Sequence, residues 1–120
     1  MKNTLIIGAS TNQDRYSYRA AHLLVAHGHK ILNYGVKKGM VAGVEIINNQ
    51  ELPKVEIDTV TLYVGEEIQK LWFDFILKIH PKRVIFNPGT ENYEFYRLLN
   101  EAHIPHEEAC TLVLLQTGQY

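Results

Sequence analysis

The chain carries a single cysteine, Cys110, among its 120 residues. One thiol cannot close an intramolecular disulfide, nor supply the ligands of a structural zinc, so a cytoplasmic setting is expected. No long apolar run is present, which leaves nothing to cross a membrane as a helix. Met1-Lys2-Asn3 leads directly into a short apolar segment, so no secretory leader is expected. Neither sign of charge is in excess: 12 Lys+Arg stand against 13 Asp+Glu, a formal net charge of −1. Proteins that coat nucleic acid or an anionic membrane carry a basic surplus, so neither partner is expected. Repeats, low-complexity tracts and interdomain linkers are missing, which points to one domain over residues 1–120. The G-x-S-x-G elbow and the Walker loop are absent as well.

What is present is an alternation of strand and helix signals. Thr4-Leu5-Ile6-Ile7 is a compact apolar run without polar alternation, the signature of a strand covered on both faces, and Gly8 closes it. A first helix is expected over roughly Tyr18 to His27, with Ala21, Leu24 and Val25 on its buried stripe and Gly28 as its stop. His29–Tyr34 reads as strand two. Val44–Ile47 reads as a short edge strand or an ordered connection, and Asn48–Pro53 as a polar link with room for one helical turn. Asp58–Val64, rich in β-branched residues, is strand three. Glu66–Ile79 is expected as one long helix, because Ile68, Leu71, Trp72, Phe75, Ile76 and Ile79 follow the helical spacing. Strand four is Arg83–Phe86, a third helix spans Glu91–Ala102, and His106–Glu108 is a short fifth strand. Thr111–Tyr120 reads equally as a closing helix or a short strand. The pattern implies an α/β, Rossmann-like three-layer sandwich: a mainly parallel five-stranded sheet with helices on both faces.

In such a sheet ligands bind at the carboxyl ends of the strands. The turn there after strand one is Gly8-Ala9-Ser10, followed by the polar residues Thr11 to Asp14 and a helix start. A strand feeding a helix through small residues is an anion site, because free amides and the helix dipole point at the ligand. It is not the full G-x-G-x-x-G fingerprint, since Ser10 stands where the second glycine belongs. Arg15 and Arg19, four apart, share a face if that segment is helical. After strand two, an NAD site wants an acid for the ribose hydroxyls. Here Gly35-Val36 leads into Lys37 and Lys38, and lysine suits a ribose phosphate: the 2′-phosphate of NADP or the 3′-phosphate of coenzyme A. Val64-Gly65 and Pro88-Gly89 complete the open edge.

Catalytic constellations are not found. His27 and His29 flank a glycine and His103 and His106 flank Pro105, without metal-binding geometry. Glu107 and Glu108 are adjacent on a strand and point to opposite faces. Cys110 falls beside the carboxyl edge, where a mixed disulfide with coenzyme A is its functional use and a small buried apolar side chain its structural one; the structural use is favoured.

Gly8-Ala9-Ser10, Asn12 and Tyr16-Ser17-Tyr18-Arg19 together resemble the first motif of the small stand-alone CoA-binding-domain proteins, relatives of the CoA-binding domain of the succinyl-CoA synthetase α-subunit. His27-Gly28, Gly43 with Val44-Glu45-Ile46, Asp58, Gly89 and Cys110 fall in matching order, over essentially the whole chain. The resemblance implies a Rossmann-like fold, coenzyme A or a relative above strand one, and no agreed catalytic activity. Residues placed against the ligand are Gly8, Ala9, Ser10, Asn12, Arg15, Tyr18 and Arg19 from the first motif. Gly35, Val36 and Lys37 follow from the second turn, then Val64, Gly65, Pro88, Gly89 and Cys110. One departure stands out: the family commonly has a Val-Asn-Pro-like sequence after strand two, and Gly35-Val36-Lys37 lacks both asparagine and proline. A less rigid loop is expected from that change. The expected partner is a small-molecule ligand, with a homodimer or a partner enzyme left open. The alternatives are an NADP-linked or other nucleotide-dependent enzyme completed by a dimer partner, or a diverged interaction domain without ligand.

Overall fold

The computed structural model describes residues 1–120. Its strands are β1 (Thr4–Ile7), β2 (Ile31–Tyr34), β3 (Met40–Val41), β4 (Val44–Ile47), β5 (Thr59–Leu62), β6 (Arg83–Phe86) and β7 (His106–Glu108). Its helices are α1 (Tyr16–Ala26), α2 (Glu66–Gln69), α3 (Phe73–Ile79), α4 (Tyr93–Glu101) and α5 (Thr111–Gln116). The strands form one sheet of order β3-β4-β2-β1-β5-β6-β7, parallel throughout except for the β3–β4 hairpin. β1 and β5 are buried at every residue, as strands covered on both faces must be.

Side chains alternate across a strand, so β1 serves two cores. Leu5 and Ile7 join Val60, Leu62, Val84 and Phe86 beneath Phe75 and Ile76 of α3 and Phe95 and Leu99 of α4. Ile6 joins Ile31 and Ile46 on the other face, beneath Ala21 and Leu24 of α1 and Leu115 of α5. The result is a Rossmann-like α/β sandwich of three layers. Strand order changes direction at β1 and β5: the chain leaves β1 for β2 on one side and β5 for β6 on the other. The loops there diverge and leave a crevice.

Two expectations are corrected. The sheet has seven strands rather than five: Val44–Ile47 is β4, paired in parallel with β2, and Met40–Val41 folds back on it as β3. The hairpin turns on Ala42 and Gly43, both with positive φ (52° and 80°), the geometry of a tight two-residue hairpin. The helix expected over Glu66–Ile79 is two helices separated at Lys70–Trp72. Its break lets Gln69 turn fully inward, where Nε2 donates to Val64 O (2.8 Å) and Thr90 O (2.7 Å) and Oε1 accepts from Asn92 Nδ2 (2.9 Å). Ile68 and Leu71 turn outward instead. α1 begins at Tyr16, the first residue of the Tyr16-Ser17-Tyr18-Arg19 motif and just ahead of the rough Tyr18–His27 span. The closing segment adopts the helical option as α5, Gly28 ends α1 with φ of 84°, and the 48–53 link contains no helical turn.

The two edges of the sheet differ. β3 is two residues long, and β7 is three residues long with Glu107 and Glu108 exposed. No helix is long and apolar enough to cross a membrane.

Candidate functional site at the carboxyl edge

A cavity of about 550 Å³ opens over the carboxyl ends of β1, β2, β5 and β6. The turn after β1 contributes Gly8, Ala9, Ser10, Asn12 and Arg15; the turn after β2 contributes Gly35, Val36 and Lys37. Val64 and Gly65 follow β5, and Pro88 and Gly89 follow β6. These residues, separate in sequence, are brought to one rim. Tyr18 and Arg19 are not. They face a shallow groove between α1 and α5, and the Arg19 guanidinium lies 5.4 Å from the Tyr16 ring centre. Because α1 starts at Tyr16, Arg15 occupies the N-cap position and Arg19 stands one turn along the helix. Cys110 also lies off the cavity, half-buried at the N-cap of α5.

The lining includes residues the sequence reading did not place there. Thr11, Tyr16 and Ser17 belong to the same motif and follow from its shape. Ile46 arrives from β4 beneath Gly35. Ile68 and Trp72 come from either side of the α2–α3 break, which helical spacing does not reveal. Tyr63 and Thr90 complete the set.

The loop after β1 is built by its own polar side chains. Asn12 N donates to Ser10 Oγ (3.0 Å) and Asp14 N to Asn12 Oδ1 (2.9 Å). Gly8 N and Ala9 N both donate to Tyr34 O at 2.9 Å, which ties this loop to the end of β2. α1 then opens without a side-chain cap and without an acid in its first turn. The amides of Tyr16 and Ser17 have no protein partner, so they are donors for an anion at a positive helix end. Arg15 and Lys37 are the only charged side chains in the lining, and no carboxylate joins them.

The loop after β2 is held at its two ends, without a proline. Gly35 N donates to Ile47 O (3.1 Å), and Ile46 N donates to Gly39 O (2.8 Å), so both ends are bonded to β4. Gly35 is buried beneath the Ala9 carbonyl, where a Cβ would overlap the oxygen and lie 3.2 Å from Ile46 Cγ2. Between these anchors Val36 is 87% exposed, so the loop's tip stands free over the rim.

The turns after β5 and β6 are bonded from below. Gln69 joins Val64 O to Thr90 O. Asn87, also buried, donates from Nδ2 to Thr61 Oγ1 (2.7 Å) and Leu62 O (2.8 Å), while its Oδ1 accepts from Thr111 N (2.9 Å). Tyr63 has its phenol pushed up to about 12 by burial, with the Thr111 and Thr61 hydroxyls working the other way. No nucleophile is paired with a base among the lining residues, which combine the two cations with apolar side chains such as Ile46, Val64, Ile68 and Trp72.

A family model for the CoA binding domain matches residues 2–116. Among curated proteins none matches. Among solved structures, the crystal structure of an uncharacterised protein is 49% identical, with a TM-score of 0.94 and coverage of 100% of this chain and 98% of that one. A protein from Thermus thermophilus is 19% identical with a TM-score of 0.89, over 99% of this chain and 90% of that one. A conserved hypothetical protein from Pyrococcus furiosus is 23% identical with a TM-score of 0.83, over 94% and 98% respectively. The last two share the fold.

Proposed function

The chain belongs to the CoA-binding-domain family, and from that premise we propose that it binds coenzyme A or an acyl-CoA in the carboxyl-edge cavity, as a module without chemistry of its own. The observation that carries the reading is the charge of the cavity: Arg15 and Lys37, on the loops after β1 and β2, with no acid among the lining residues. Arg15 and the open amides of α1 suit a diphosphate. Lys37 stands where an NAD site would need a carboxylate, and suits a ribose phosphate instead. The volume of about 550 Å³ is that of an ordinary small-molecule site. Gly8, Ala9, Ser10 and Asn12 form the floor beneath the phosphates, while Val36, Val64, Gly65, Pro88 and Gly89 border the rest of the ligand. Tyr18, Arg19 and Cys110 lie off the lining and are not assigned to it.

The test is a melting-temperature comparison with CoA, acetyl-CoA, dephospho-CoA, NADP and NAD. A ligand at a hundred times its Kd adds about 2.7 kcal/mol to the folded state, a rise on the order of 10 °C for a domain of this size. CoA is expected to raise the melting point, dephospho-CoA to raise it less, and NAD to leave it unchanged. No rise with CoA overturns the reading. A rise with NADP alone would make the chain part of a nucleotide-dependent enzyme, and no rise with any ligand would leave an interaction domain.

A further inference from the structure

Arg15 and Lys37 sit on separate loops. Two cations on loops that move independently make a poor gauge of a ligand with two separated phosphates, because each can adjust without the other. Here the loops touch. Gly39 packs against Thr11, and a Cβ at Gly39 would stand 2.5 Å from Thr11 Cγ2. Gly39 does not have a positive φ, so the closeness of the exposed Thr11 side chain, rather than backbone conformation, is what an added side chain there would meet. Thr11 lies between Ser10 and Asn12, whose side chains brace the first loop. Gly39 accepts from Ile46 N, and the hairpin behind it is seated by Asn33. That asparagine is fully buried, and its Nδ2 donates to Val41 O (3.2 Å) and Val44 O (3.1 Å), on either side of the hairpin turn. A continuous line of contacts therefore runs from the Arg15 loop through Thr11 and Gly39 to the sheet, with Lys37 two residues from its middle.

We propose that the Thr11–Gly39 contact is a spacing device that fixes Lys37 relative to Arg15. Thr11 and Gly39 are then positioning residues that set a preference for a ligand carrying a diphosphate and a second, separate phosphate. The proposal rests on the coenzyme A reading above and specifies how the site measures that ligand.

The experiment uses Gly39→Ala and the double variant Thr11→Ser/Gly39→Ala. Serine removes only the methyl that the new Cβ would strike. Each protein is titrated calorimetrically with CoA and with dephospho-CoA, and amide hydrogen exchange over residues 35–39 is followed without ligand. The parent is expected to favour CoA by about tenfold, the worth of one charge-assisted phosphate contact. Gly39→Ala is expected to reduce that ratio to about twofold, by weakening CoA while leaving dephospho-CoA nearly unchanged. It also speeds exchange in the loop. The double variant restores both the ratio and the protection. A Gly39→Ala protein with the parent's ratio overturns the proposal, as does a double variant that fails to recover. A parent that binds neither ligand overturns the coenzyme A reading and the preference with it, and the exchange data then report separately on the contact itself.

Discussion

Replacing Gly35 with alanine is the most direct test of how the two ligand loops are joined. Gly35 is buried, and its missing side chain leaves room for the Ala9 carbonyl. An added Cβ overlaps that oxygen and meets Ala9 C at 3.3 Å and Ile46 Cγ2 at 3.2 Å. Carbon–oxygen contacts begin near 3.3 Å, so the two backbones have to part by roughly an ångström. Neither is free to do so. Gly8 N and Ala9 N are both bonded to Tyr34 O, and Gly35 N is bonded to Ile47 O. Overpacking of this kind costs about 1–3 kcal/mol, before any of those three hydrogen bonds is lost. For a chain of this length that corresponds to a fall in melting temperature of roughly 4–12 °C. CoA affinity falls too, because the movement separates Arg15 from Lys37. Gly65→Ala is the control: a Cβ there meets nothing within 4 Å and the residue has an ordinary extended φ of −76°. Its stability should stay within about 1 kcal/mol of the parent. The assays are thermal unfolding by circular dichroism and calorimetric titration. If Gly35→Ala melts like Gly65→Ala and binds CoA like the parent, the close packing of these loops has no energetic weight and the reasoning is wrong.

Arg15→Ala should weaken CoA binding about tenfold with little change in melting temperature, since an exposed phosphate contact carries little folding energy. Arg19→Ala, whose guanidinium lies over Tyr16, should bind as the parent does; the reverse result would move the anion site along α1. Asn87→Ala removes a buried side chain that bonds Thr61, Leu62 and Thr111. Unpairing those groups should cost about 3 kcal/mol or more in urea unfolding, and a loss under 1 kcal/mol would contradict the assignment. Stability should also fall in alkali. The Tyr63 phenol is raised by burial from 10.0 to about 12, so the folded state retains a proton that the unfolded chain releases. Its contribution is complete below the unfolded value and is lost as pH rises through the folded one, on the order of 2–3 kcal/mol. Tyr63→Phe should flatten that part of the melting-temperature profile; an unaltered slope would assign the loss to Tyr34, Tyr96 and Tyr120, which burial also raises.

The first βα unit was legible because its signals are contiguous: an apolar run, a small-residue turn and a polar loop before an amphipathic helix. The layer order followed from alternating strand and helix patterns, each of which carries its own period. The β3–β4 hairpin did not, because two residues cannot display a period and Ala42 occupies a position where asparagine is the usual marker. Helical spacing across residues 66–79 registered the apolar side chains and was blind to the three hydrogen bonds that draw Gln69 inward. The start of α1 mattered most for the site. Arg15 is the extended N-cap and Arg19 stands a full turn inside the helix, so the spacing of four that puts two helical side chains on one face does not apply to this pair. Arg15 makes no side-chain capping bond, and no common cap residue marks the helix start. Hence Arg19 looked as plausible as Arg15. The tightest contacts, Gly35 against Ala9 and Gly39 against Thr11, join residues more than twenty apart in sequence, and no local pattern announces them.

The unequal ends of the sheet bear on what the protein does at high concentration. An open strand edge is a template on which another chain can add, and long flat edges seed fibrils. At one end the chain folds back on itself and leaves only two residues, Met40 and Val41, on the outside. At the other, β7 offers three residues, two of them glutamates, with Arg83 held 3.4 Å from Glu107 on the adjacent strand. A copy approaching that edge brings its own Glu107 and Glu108 against the same charges. Continuation of the sheet from molecule to molecule is thus disfavoured by brevity at one end and, where two β7 edges meet, by repulsion at the other.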